Sequence, residues 1–146
     1  MIDVAVFNAH PALKIPRRGA EAAVRCVAGG ERRTSAAVSV VFVGNRASAR
    51  MNRRFLGHRG ATDVISFPLG EGRRIEGEIY VNLDRARLQA AQYGVPFTEE
   101  VSRLIVHGTL HLFGYDDTSA PKARGMKRKE DRYVGVLASG RGRRRL

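Results

Sequence analysis

Residues 96–114, PFTEEVSRLIVHGTLHLFG, decide how the rest of the chain is read. Val101, Leu104, Ile105 and Leu112 recur at helical spacing, so one side of the segment is apolar and seeks a core. Thr98 is placed to cap this helix, and Glu99 and Glu100 suit its positive end. Gly114 stops it, because glycine readily takes the left-handed conformation that ends a helix. His107 and His111 lie four residues apart near its C-terminal end, one turn from each other on a shared face.

The flanking segments predict a small sheet for this helix to cover. IDVAVF (2–7) is a short apolar strand, and AEAAVRCVAGG (20–30) is a helix with Ala22, Ala23, Cys26 and Val27 on one stripe. AAVSVVFV (36–43) is rich in β-branched residues and predicts a buried strand, followed by a short helix, NRASARMNRRF (45–55), with Asn45 as N-cap. TDVISFPL (62–69) is a strand closed by Pro68, GEGRR (70–74) is a turn, and IEGEIYVN (75–82) alternates as a half-buried strand. LDRARLQAAQYG (83–94) is a helix ending at Gly94, and SAPKARGMKRKEDRYVGVLA (119–138) is a last helix apart from Gly125 and Gly135. The order β-α-β-α-β-β-α-α-α predicts an α+β fold, with a mixed sheet of about four strands packed against about five helices.

At 146 residues, 43% of them hydrophobic, the chain suits one domain with a real core. No apolar run approaches the roughly 20 residues that cross a bilayer, and the N-terminal segment lacks the pattern of a signal peptide. The single cysteine, Cys26, excludes an internal disulfide and a cysteine-built zinc site, which points to a cytoplasmic setting. Twenty-six Lys and Arg against 14 Asp and Glu leave a net charge of +12 and a pI near 11.1. Such an excess selects a polyanionic partner, nucleic acid first, or else reflects a solvated basic tail. Ten basic residues against Glu130 and Asp131 fall within positions 122–146.

HGTLHLFGYDD (107–117) is where chemistry is expected. His107 and His111 present two imidazole nitrogens to one side, and a turn at Gly114 lets Asp117 swing back toward them. Two histidines and a carboxylate form a known catalytic zinc set, with water completing the shell. Asp116 competes as the third ligand or orients a histidine from behind. Spacing alone equally fits two core histidines beside an acidic turn. Gly108 stands where the zinc-protease motif His-Glu-x-x-His carries its glutamate, which weakens a peptidase reading. A mid-helix glycine costs up to ~1 kcal/mol relative to alanine, so something is expected to approach the backbone closely there.

These residues resemble a known family. HGTLHLFGYDD is similar to the His-Gly-x-Leu-His-Leu-x-Gly-Tyr-Asp-His signature of YbeY proteins, the metal-dependent endoribonucleases and rRNA maturation factors of bacteria. TDVISFP (62–68) resembles the family's Thr-Asp-Val-Leu-Ser-Phe-Pro strand, GEIYVN (77–82) its Gly-Asp-Ile-x-Ile-Ser strand, and ARMNRRF (49–55) its Leu-Asn-x-x-Tyr segment. Two departures fall at chemical positions: Asp117 replaces the family's third histidine, and Leu56 matches a family arginine. A carboxylate lowers the charge of the site by one and shifts its preference toward harder ions such as Mn²⁺ or Mg²⁺.

The resemblance implies a single metal-dependent hydrolase domain over residues 1–138, its metal site at the end of the central helix, followed by a mobile basic tail over 139–146. One divalent ion, zinc first, would be held by His107, His111 and Asp117, which with the bound water and Arg59 form the catalytic set. RNA contacts are assigned to Arg53, Arg54, Arg59, Ser66, Lys127 and Arg128. The implied activity is single-strand-preferring RNA cleavage in ribosomal RNA maturation and ribosome quality control. The alternative is a ribosome-assembly RNA-binding factor with a structural metal. Implied partners are the 16S rRNA precursor or small ribosomal subunit and ribosomal or GTPase proteins, with no membrane and no disulfide partner.

Overall fold

The computed structural model describes residues 1–143 other than Glu71 and Arg73, with side chains described through Gly140. Nine elements follow in the expected order: β1 (Ile2–Asn8), α1 (Arg17–Gly30), β2 (Ala36–Val43), α2 (Asn45–Leu56), β3 (Val64–Leu69), β4 (Ile75–Asn82), α3 (Leu83–Tyr93), α4 (Phe97–Leu112) and α5 (Ala120–Arg143). The four strands lie in the order β1-β2-β4-β3. β1, β2 and β4 run parallel, which requires the crossover connections between them, whereas β3 and β4 form an antiparallel pair. The result is the mixed sheet of an α+β fold.

Alternation along the strands decides which side is covered. Val38, Val40 and Phe42 of β2 share a face with Ile79 and Val81 of β4, and all five are at most 2% exposed. α1 and α4 pack on this face with Ala20, Ala23, Val24, Val27, Val101 and Ile105. The buried stripe of α1 is therefore rotated from the expected one, and Ala22 and Cys26 are only partly covered. α4 is the hub, touching α1, α3, α5, β3 and β4.

Two glycines set how closely α4 lies on the sheet. A Cβ at Gly108 would stand 2.6 Å from Ile79 Cγ2, and one at Gly77 would stand 2.5 Å from Leu112 Cδ2. The close approach expected at Gly108 is thus β4 itself, and Ser66 Oγ of β3 donates to the Gly108 carbonyl at 3.2 Å.

α1 starts at Arg17, three residues before the expected Ala20, and two N-caps differ from expectation by one or two residues. Pro96 is the N-cap of α4 and Thr98 lies inside its first turn, so Thr98 does not cap it. Proline pre-sets the backbone angle at that position. Gly44 is the N-cap of α2, and Asn45 instead accepts from the Asn82 side chain at 2.9 Å. Asn82 in turn caps α3 through Asp84 N and Arg85 N. The expected basic tail begins within α5, and residues 144–146 lie outside the described residues, as do Glu71 and Arg73 of the expected turn GEGRR. No helix among the described residues is long and apolar enough to cross a membrane.

Candidate metal centre

His107 and His111 lie on one face of α4, one turn apart, and their Nε2 atoms stand 3.0 Å apart. The helix ends as the sequence implied. Gly114 has φ +102°, its N–H donates to His111 O, and Tyr115 N donates to Leu110 O at 3.1 Å. This paired closure reverses the chain and carries Asp117 back, with its Oδ2 4.0 Å from His107 Nε2. One donor atom from each of His107, His111 and Asp117 lies within 4.8 Å of the others, the single such group of three among the described residues.

Asp116 is used elsewhere. Its Oδ1 accepts from Thr118 N and Thr118 Oγ1, and Lys122 Nζ lies 3.5 Å from Oδ2, contacts that also hold its carboxyl below the usual range. It shapes the start of α5 while Asp117 faces the histidines.

A residue that sequence reading missed completes the arrangement. Glu130 of α5 places Oε2 2.5 Å from His107 Nδ1. Burial pulls the His107 pKa down, but the Glu130 carboxylate outweighs it and holds the ring above its ordinary value. His111 is pulled down by burial and then by the neighbouring His107. Glu130 fixes the His107 tautomer with the proton on Nδ1, leaving the Nε2 lone pair toward His111 and Asp117. In a second contact, Arg103 holds Glu130 at 3.7 Å and Asp131 at 2.8 Å.

The donor set fits a metal ion. Bonds of about 2.0–2.2 Å to nitrogen and oxygen place ligand atoms roughly 3–3.6 Å apart around a tetrahedral centre. The two Nε2 atoms stand at 3.0 Å and Asp117 Oδ2 at 4.0 Å from His107 Nε2, so a small inward shift of Asp117 would complete the set. The two Nε2 atoms face each other with no other hydrogen-bond partner among the described residues, so a shared cation would satisfy both at once.

A buried hub braces the turn from the other side. Glu31, the C-cap residue of α1, accepts from Tyr115 Oη at 2.5 Å, from Lys129 Nζ at 3.0 Å and from the Tyr133 hydroxyl. Burial would raise the Glu31 carboxyl, yet these donors together hold it below its ordinary value, and the Tyr133 hydroxyl is driven well up by burial and by Glu31.

The remaining expected residues separate into distinct places. Arg53 and Arg59 line a groove of about 530 Å³ with Arg46 and Arg50, which recur on one exposed side of α2. None of these four forms an ion pair among the described residues. Arg54 lies with its guanidinium 5.4 Å from the Phe55 ring centre, and Leu56 is 46% exposed at the end of α2. Lys127 lines the cavity at His107, and Arg128 lines a different hollow beside Tyr115. Ser66 directs its hydroxyl into α4.

Residues 12–138 match the profile of the family described as Endoribonuclease YbeY. An Endoribonuclease YbeY from Chlorobium phaeovibrioides is 41% identical over 127 residues, covering 86% of this chain and 85% of that one. Another from Chlorobium phaeobacteroides is 42% identical over 125 residues, covering 86% and 91%. The solution structure of a Thermotoga maritima protein superposes with a TM-score of 0.66 at 26% identity, covering 97% of this chain and 93% of that one. Matched over most of its length and carrying the histidine pair of the signature, the protein belongs to the Endoribonuclease YbeY family.

Proposed function

We propose that this protein is a metal-dependent endoribonuclease that cuts single-stranded RNA in ribosomal RNA maturation and ribosome quality control, with zinc as its ion and the cytoplasm as its place of work. The observation that carries the reading is the convergence of His107, His111 and Asp117 in a chain of this family. When bound, the ion supplies positive charge that polarises a phosphodiester oxygen and makes water more acidic. Around it, Glu130 holds His107 by Nδ1, the Gly114 turn delivers Asp117, and Glu31 braces that turn through Tyr115.

RNA is held by charge on other elements. Arg46, Arg50, Arg53 and Arg59 present guanidinium groups without an ion pair among the described residues, and such groups form paired hydrogen bonds to phosphate oxygens. Arg59 serves there as a phosphate anchor, and Lys127 adds charge at the metal cavity. The basic C-terminal segment adds affinity that falls with salt and carries no sequence preference.

The test uses one labelled single-stranded RNA and two proteins. Wild type cuts it, chelation stops the cutting, and added zinc restores it. His111→Ala binds the RNA without cutting, and metal analysis finds less than one ion per chain. Equal cutting by His111→Ala and wild type overturns the assignment.

A further inference from the structure

Of the three metal-centre residues, His107 lines a cavity of about 460 Å³ that is bounded by α3, α4, α5 and the start of β3. This volume is in the range of small-molecule pockets. Glu100 of α4 faces this cavity, seven residues before His107 and so on the same side of the helix. It is only 3% exposed, and its carboxylate accepts no hydrogen bond among the described residues. Its oxygens are not sealed away, since the only fully enclosed side-chain N or O atoms without a partner among the described residues are Arg74 Nε and Arg85 Nε. A buried carboxylate without donors that opens onto a cavity is costly for the protein alone, and burial, only partly offset by Arg103, raises its carboxyl above the ordinary range.

The neighbours do not supply the missing donors. Arg103 is engaged by Asp131 and Glu130, Lys127 Nζ lies 3.8 Å from Asp131, and the Gln89 amide donates to Asp63 at 3.2 Å. The surrounding carboxylates are spread around the cavity rather than converging, because among the described residues only His107, His111 and Asp117 form a group able to hold an ion. A second cation is therefore the weaker occupant. The walls add apolar surface from Val64 and Leu104, and Tyr93 stands 64% exposed at the rim. Apolar walls with an acceptor at the back and an aromatic ring at the mouth suit a flat heterocycle carrying N–H groups.

We propose that this cavity is a guanine pocket, in which the Glu100 carboxylate accepts the N1–H and N2–H groups of a guanine next to the phosphodiester held at the metal centre. Guanine alone among the four RNA bases offers two adjacent donors on one edge, matching the two oxygens of a carboxylate. Tyr93 covers the base from the open side. The inference rests on the endoribonuclease reading for its substrate, and adds to it a base preference beside the cut.

The test measures binding and cutting separately. In titrations of the full chain with guanosine monophosphate and adenosine monophosphate, the shared phosphate cancels and the ratio of dissociation constants reports the base. Wild type is expected to favour the guanine nucleotide by roughly ten- to a hundredfold. Glu100→Gln, shown folded by its melting curve, brings that ratio near one, because an amide offers one acceptor beside a donor. In cleavage of a randomised single-stranded RNA, guanine is enriched at one fixed position beside the cut, and Glu100→Gln erases the enrichment. Equal binding of both nucleotides by wild type overturns the pocket, as does a preference that survives in Glu100→Gln. A second Mn²⁺ per chain that disappears in Glu100→Gln, without nucleotide preference, also overturns it. Guanine preference in a protein that cuts no RNA keeps the pocket and removes the nuclease reading. Cutting with no guanine bias and no nucleotide preference does the reverse.

Discussion

Among the described residues, His10 and His107 each hold a carboxylate by a hydrogen bond, and they differ in what their rings leave open. His10, 6% exposed, holds Asp84 Oδ1 at 2.8 Å through Nε2, and its Nδ1 accepts from Ala12 N and Leu13 N. Both nitrogens are satisfied inside the fold. His107 gives one nitrogen to Glu130 and leaves the other facing His111 and Asp117. The first pair ties the loop after β1 to the first turn of α3, while the second leaves one ring nitrogen facing His111 and Asp117. What separates a structural histidine from a proposed ligand here is therefore the number of ring atoms the protein already occupies.

The sharpest break in that comparison is removal of one ring from each pair. His111→Ala should lose metal by far more than the roughly hundredfold that follows from losing an outer partner. Its melting temperature in chelator should stay close to that of wild type under the same conditions. His10→Ala should do the opposite. Two backbone N–H groups and a carboxylate lose their partner, which costs about 2–4 kcal/mol, read by denaturant unfolding, with one ion per chain retained.

Replacing the carboxylates sharpens the contrast. Glu130→Gln should weaken metal binding by about ten- to a hundredfold, because the amide no longer fixes the His107 tautomer as firmly. Competition with a chromogenic chelator measures it. Gly108→Ala probes the surface beneath, since its new methyl meets Ile79 and Ser66 and should destabilise by about 1–3 kcal/mol in thermal or denaturant unfolding.

The smallest effect is acid sensitivity at the structural pair. The hydrogen bond from His10, then the one from Asn45 N, hold the Asp84 carboxyl below its ordinary value. A folded-state pKa below the unfolded one stabilises fully above the unfolded value of about 3.9, and this contribution is lost as pH falls through the folded pKa. Unfolding measured from pH 6 down to pH 2 should show a shallower loss in Asp84→Asn than in wild type. Equal slopes would remove Asp84 from the account.

Much of the fold was legible because hydrophobic period and stop signals agreed. The β-branched run 36–43 became the central β2, and Gly114 ended α4 with the positive φ that brings Asp117 round. His107 and His111 were legible for the same reason, since helical spacing alone puts them on one face. Glu130 was not. It lies 23 residues from His107 in a segment dominated by lysine and arginine, and only the packing of α5 on α4 turns it inward. Glu100 was read as a complement to the helix dipole, a role any first-turn acid fills, and its burial against α3 and α5 is a tertiary fact. Thr98 failed as a cap because Pro96 already held that position. The α2 arginines were legible as charge, but the grouping of Arg46 and Arg50 with Arg59 depends on the fold of the loop after α2.

The partner of His107 comes from α5, which follows both histidines and Asp117 in the chain. While the protein is being synthesised, at ~5–20 residues per second, the three proposed ligands emerge before the helix that orients one of them. A nascent chain lying against the ribosome thus passes through a stage in which its ring tautomer is unset, and it becomes fully armed only when its last helix docks.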